Sequence, residues 1–245
     1  MEHKSIEVLV NENFVYAKVL DYFGVEYYKT KNKTLQEVCD EYKIDKSQLL
    51  DIMEGADKQS DFESSELKNY PARLIIGYLK HSHELFIKDR LPFILKQINA
   101  IEAPVDKELI HDLKTVLPLF VDDFIHHIYE EEDRLFAYIK DLECFLMGKV
   151  TAEKMTAKIE SFSIQEFALH HGDSDDEMKG IRGITSEYQT SNIEDIQLKV
   201  VFKELQAFDK ELSVHAHIEN NILFPKALML EKEARQKLSH TFSQN

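Results

Sequence analysis

Between about Pro71 and Arg235 the chain carries four long stretches in which apolar residues recur every three or four positions, separated only by short breaks. That period belongs to helices that bury one face. The four run from Pro71 to Ile98, Lys107 to Met147, Ala152 to Tyr188 and Ile193 to Arg235. Breaks fall near Ala103-Pro104, Gly148 and Gln189–Ser191. Long helices joined by short connections stack as neighbouring antiparallel rods, so an up-down four-helix bundle is predicted. Only 7 Gly and 5 Pro in 245 residues leave too few turn formers for many short strands. Pro118 should kink the second helix or start its regular part, and Pro225 should bend the fourth.

A separate all-α region precedes the bundle. Residues Ile6 to Phe23 are helix-periodic and stop at Gly24, a natural C′ residue. Thr34 with Glu37 has the spacing of a capping box, and Asp45 with Gln48 opens a further short helix that ends at Gly55. A polar stretch follows. The expected organisation is a small helical domain over 1–57, a linker over 58–70 and the bundle over 71–240.

Charge and cysteine usage narrow the function. A net charge of −15 argues against a nucleic-acid backbone or an anionic membrane surface as partner. Cys39 and Cys144 lie far apart, which excludes a disulfide framework and a Cys-type zinc or iron–sulfur site. No run of about 18 apolar residues occurs and the first residues lack a signal core, so a cytoplasmic location is expected.

The chemistry lies in histidines on the apolar stripes. In the second helix Phe120, Phe124, His127, Glu131 and Leu135 share one stripe, and in the fourth Val201, Leu205, Phe208, Leu212, His215, Glu219 and Ile222 share another. Each holds His and Glu at i, i+4, one turn apart on one face. A carboxylate inside an apolar stripe is costly unless paired or metal-bound. The bland alternative is a buried Glu–His hydrogen bond. His126 and Glu130 repeat the spacing but fall with Asp122, Asp123 and Asp133 on a solvated face. In the third helix His171 shares a stripe with Ile164, Phe167, Met178 and Ile181, and Asp175 is placed as a further ligand or an imidazole acceptor. The rest of the Asp173–Glu177 run is expected to be solvated surface. In the first helix His83 lies on the best apolar stripe, with Ile76, Leu79, Phe86 and Ile87, and is chosen over His81, which falls with Tyr78 and Lys88. His3, His111, His217 and His240 are expected to be exposed.

The candidate ligands are thus His83, His127, Glu131, His171, His215 and Glu219. Four imidazoles and two carboxylates suit iron best, with manganese or zinc as lesser candidates. Two bridging glutamates would leave each metal two imidazoles and open positions for water, an oxo bridge or a small gas. An oxo dianion would neutralise two divalent ions and two carboxylates, easing burial.

His127-Ile-Tyr-Glu-Glu131-Glu132 through Leu135-Phe136, and His215-Ala-His-Ile-Glu219 through Leu223-Phe224-Pro225, resemble hemerythrin-type cation-binding motifs. The whole chain resembles the iron–sulfur cluster repair di-iron proteins, also called regulators of cell morphogenesis and NO signalling. Asn11-Glu-Asn-Phe14 through Phe23-Gly24-Val25, Thr34-Leu-Gln-Glu-Val-Cys39 and Arg90-Leu91-Pro92 match that pattern. The resemblance implies a hemerythrin-like bundle. It places the six residues above as ligands of two iron ions in a non-haem, oxo- and carboxylate-bridged centre. It also implies a stress-response role in repairing iron–sulfur clusters damaged by NO or oxidants, by iron donation or NO chemistry. NO, O2 and damaged iron–sulfur proteins are the partners it implies, with a homodimer left open. Where the family has a Cys-Cys motif followed by Gly-Gly, this chain has Tyr27-Tyr28-Lys29-Thr30, which removes a thiol role there. Reversible O2 or NO binding without turnover, and a metal-free bundle with polar core networks, are the competing readings.

Overall fold

The computed structural model describes residues 3–56, 64–102, 106–172 and 176–243, although the side chains of 56, 64–66, 170–172 and 242–243 lie outside that description. Among the described residues the chain is all-α, with one isolated antiparallel bridge between Ser5 and Thr34 and no strand. It divides into two compact units. One comprises Met1–Phe62, Arg90–Leu117 and Gly180–Phe208; the other comprises Glu63–Asp89, Pro118–Lys179 and Asp209–Asn245.

The first unit begins with α1 (Ile6–Glu12) and α2 (Val15–Tyr22). The single helix expected here breaks at Asn13, whose backbone is extended and whose side chain accepts from the Val15 amide at 3.0 Å. An Asn that bonds the backbone two residues on starts a turn rather than continuing a helix. Gly24 ends α2 at φ +75°, a conformation that costs a glycine little. Next come α3 (Leu35–Tyr42) and α4 (Lys46–Ala56). The capping box is complete: Thr34 Oγ1 accepts from the Glu37 amide at 3.3 Å, and Glu37 Oε2 accepts from the Thr34 amide at 2.7 Å. Asp45 Oδ1 likewise accepts from the Gln48 amide.

These helices bury Leu9, Leu20, Val25, Leu35, Val38, Leu49 and Met53 together with Phe93, Ile196 and Val200 from later in the chain. The Tyr27 hydroxyl, fully buried, donates to Gln97 Oε1 at 3.0 Å, and Gln197 Nε2 donates to the Gln97 carbonyl at 3.0 Å. Arg90 pairs with the fully buried Glu204 at 2.9 Å. Of the stretch expected as a linker, 58–63 lie outside the described residues and Ser64–Asn69 forms a 3₁₀ turn.

The helices of the bundle are punctuated. The first is α5 (Ala72–Leu85), a π-helical segment Phe86–Arg90, and α6 (Leu91–Asn99). The second is α7 (Lys107–Glu130), a π segment Glu131–Phe136, and α8 (Ala137–Leu146). Pro118 sits inside α7 without ending it. The third, expected to be continuous, is three pieces: α9 (Ala152–Ser161), α10 (Ile164–Gly172) and α11 (Lys179–Ile184). Phe162 is extended, and Ser163 Oγ accepts from the Glu166 amide at 3.2 Å, restarting the helix with a cap of its own. The fourth is α12 (Ile196–Ile218), a π segment Glu219–Leu223, and α13 (Phe224–Ser243).

Ala72, Ile75 and Leu79 of α5 build the core of the second unit with Leu135, Ile139, Leu142 and Phe145 around α8. Met155, Ile159 and Ile164 join them, as do Ile222, Leu223, Ala227 and Leu238 around α13. Lys237 donates to the carbonyls of Phe145 and Leu146, both at 3.0 Å, closing the end of α8 against α13.

Candidate metal centre

Among the described residues three of the four helical runs carry a π segment at the histidine–glutamate level of the second unit: three residues after His83, starting at Glu131, and starting at Glu219. A π turn inserts one extra residue and is found most often at functional sites. Pro92 and Pro225 each fall two residues after such a segment ends. There the interrupted i→i−4 ladder lowers the cost of a missing N–H.

The result is one convergent cluster. His83, Glu131, His215 and Glu219 are between 1% and 5% exposed, and one donor atom from each lies within 4.8 Å of all the others. The Nε2 atoms of His83 and His215 stand 3.0 Å apart. Glu219 Oε1 is 3.3 Å from His215 Nε2. Glu131 reaches two ways, with Oε2 at 3.2 Å from His83 Nε2 and Oε1 at 2.9 Å from His127 Nε2. Two imidazole nitrogens facing each other among two buried carboxylates form a donor set that a cation of charge two or more fits. Phe136 stacks on His83 at 5.8 Å, and the Phe86 ring lies 5.7 Å from that of His215, so the surroundings are apolar.

His83 is held from behind. Its Nδ1 lies 3.0 Å from Glu132 Oε1, and Lys80 Nζ lies 2.5 Å from Glu132 Oε2. A carboxylate on Nδ1 keeps the proton there and leaves Nε2 free for the cluster. Burial alone would lower the His83 pKa, but the Glu131 and Glu132 carboxylates outweigh it and raise the value. Burial works against Glu132 ionisation too; Lys80 and His83 overcome it and hold its pKa below the ordinary range.

Of the six residues expected at the site, the structure gathers His83, His127, Glu131, His215 and Glu219, with His127 the most exposed at 27%. His171 lies in α10, but its side chain is outside the described residues, as is all of Asp175. His81, His126 and His217 are exposed, and His217 faces the Asn221 amide at 3.1 Å. Sequence reasoning missed Glu132 and Glu177. It left Glu177 on solvated surface, whereas its Oε1 stands 3.8 Å from His127 Nε2. Both contacts join segments far apart in the chain, which no single-helix periodicity reports.

Fold and cluster define an all-α protein with a metal-capable histidine–glutamate core. The chain is similar to the iron-sulfur cluster repair protein YtfE of Musicola paradisiaca, 24% identical over 211 residues that cover 84% of this chain and 87% of the relative. It is also similar to the iron-sulfur cluster repair proteins ScdA of Staphylococcus haemolyticus (22% identical, 86% of this chain, 91% of the relative) and Staphylococcus epidermidis (21%, 75% and 79%). No protein-family model matches the chain. The chain is thus a relative of the iron–sulfur cluster repair proteins along most of its length, in keeping with the resemblance in its motifs.

Proposed function

We propose that this is a di-iron protein of the nitrosative and oxidative stress response, acting on damaged iron–sulfur proteins by iron donation or NO chemistry. His83, His127, Glu131, His171, His215 and Glu219 are its ligands. The observation that carries the reading is the way Glu131 spans His83 and His127 with its two oxygens inside a cluster completed by His215 and Glu219. A carboxylate placed that way would offer one oxygen to each of two cations. Two ferrous ions would supply redox electrons and transferable metal.

The protein's own groups do the rest. Glu132 fixes the His83 tautomer. Phe86 and Phe136 limit water around the imidazoles. Glu131 and Glu219 neutralise positive charge that the apolar core would otherwise expel. The same apolar shell favours a second reading, reversible binding of O2 or NO without turnover. Incubation of the iron-loaded protein with an NO-damaged cluster enzyme separates the two. Repair requires recovery of the client's activity with loss of iron from this protein or turnover of NO. A carrier would show a reversible spectral change and no recovery. The role in repair predicts a cytoplasmic location.

A further inference from the structure

The donor cluster is lopsided. On one side His83, His215 and Glu219 are sealed, while on the other His127 is 27% and Glu177 23% exposed. Glu131, 1% exposed, reaches both sides, one oxygen to each. Metal–nitrogen and metal–oxygen bonds of about 2.1 Å put two donors on one ion about 3.0 Å apart at a right angle and about 4.2 Å apart in line. His127 Nε2 stands 2.9 Å from Glu131 Oε1 and 3.8 Å from Glu177 Oε1, both compatible with one shared ion. Glu177 comes from the turn before α11, outside every His-x-x-x-Glu step.

We propose that Glu177 is a metal-ligating carboxylate that, with His127 and Glu131, defines an outer and exchangeable iron position, distinct from the sealed inner position of His83, His215 and Glu219. Its exposure lets water and chelating groups reach the outer ion, whereas the inner ion is enclosed by protein. The inference deepens the di-iron reading and rests on it. It makes the outer position the one through which iron enters and leaves.

The test uses the full chain loaded anaerobically with ferrous iron and mixed with excess of a chromogenic ferrous chelator. Wild type should release iron in two phases, about one equivalent in each, and Glu177→Gln should speed the fast phase roughly tenfold or more, leaving the slow phase unchanged. Glu177→Ala should act in the same direction, and Asp176→Asn, at the exposed neighbouring position, should match wild type. Metal-free melting curves of Glu177→Gln and wild type should coincide, because the side chain is partly exposed and Gln keeps its shape. Two wild-type irons released at unchanged rates from Glu177→Gln would overturn the proposal and leave the di-iron reading standing. Wild type that holds no iron would overturn both.

Discussion

Replacing Glu132 by Gln tests how the bundle tunes a ligand from behind. Glu132 Oε1 faces His83 Nδ1 at 3.0 Å, and its other oxygen is paired with Lys80 at 2.5 Å. Gln keeps the shape and an acceptor oxygen but removes the charge that raises imidazole basicity. Carboxylates of this kind contribute about 10–100-fold to metal affinity, or roughly 1.4–2.7 kcal/mol. Glu132 is 22% exposed and shares its charge with Lys80, so Glu132→Gln belongs at the low end, about tenfold. Glu132→Ala, which also frees the ring to turn, belongs near the upper end. Lys80→Met carries the opposite sign: with its counter-charge gone, Glu132 pulls harder on the Nδ1 proton, and iron should be held as tightly as in wild type or tighter. Competition against a ferrous chelator of known affinity at pH 7.5 measures all three. Equal weakening by Lys80→Met and Glu132→Gln would show instead that the pair acts only as a strut and that the Glu132 charge does not tune His83.

Tyr27→Phe should lower stability by about 1 kcal/mol in urea unfolding, since it removes the closer of the two donors to the buried Gln97 oxygen and leaves Gln197 Nε2 at 3.4 Å; iron content should not change. The raised His83 pKa gives the metal-free and iron-loaded forms opposite pH trends. Its stabilising contribution to the metal-free protein is complete below the unfolded value near 6.5 and is lost as pH rises through the folded value. Iron affinity should rise over the same interval, because the ligand must shed its proton; melting and chelator competition between pH 6 and 9 check both signs. A chain starting at Ser65 retains every proposed ligand, so it should bind iron, but without the cover over Phe93, Ile196 and Val200 it should unfold at lower denaturant than the full chain. His127→Ala should cost iron and His126→Ala should not, as metal analysis of each will report.

Burial repeats with the helical period, so the inward side of each helix was readable from spacing. His83 and His215 fall on predicted stripes and are buried, while His81, His126 and His217 fall off them and are exposed. Caps were readable where a side chain and its backbone partner are three residues apart, as at Thr34 and Glu37. Ser163 with Glu166 carries the same signal, but the apolar period continues across the break and masked it. The π segments have no spacing of their own; two of the three described carry a proline two residues downstream, Pro92 and Pro225, and Glu131–Phe136 carries none. Contacts that depend on how one segment packs against another leave no trace in the spacing of either. Lys80–Glu132–His83, Glu177 of the turn before α11 beside His127, and the buried Arg90–Glu204 pair are all of that kind.

In the proposed di-iron centre Glu131 and Glu219 hold two iron ions between them. Anaerobic loading with ferrous iron, removal of excess metal and Mössbauer spectroscopy with metal analysis test it on wild type and on the Glu131→Ala, Glu219→Ala double variant. About two irons per chain, coupled on oxidation, are expected in wild type, with loss of most of that iron in the variant. Wild-type iron in the variant, or no iron in the wild type, would mean that these carboxylates do not hold a di-iron centre.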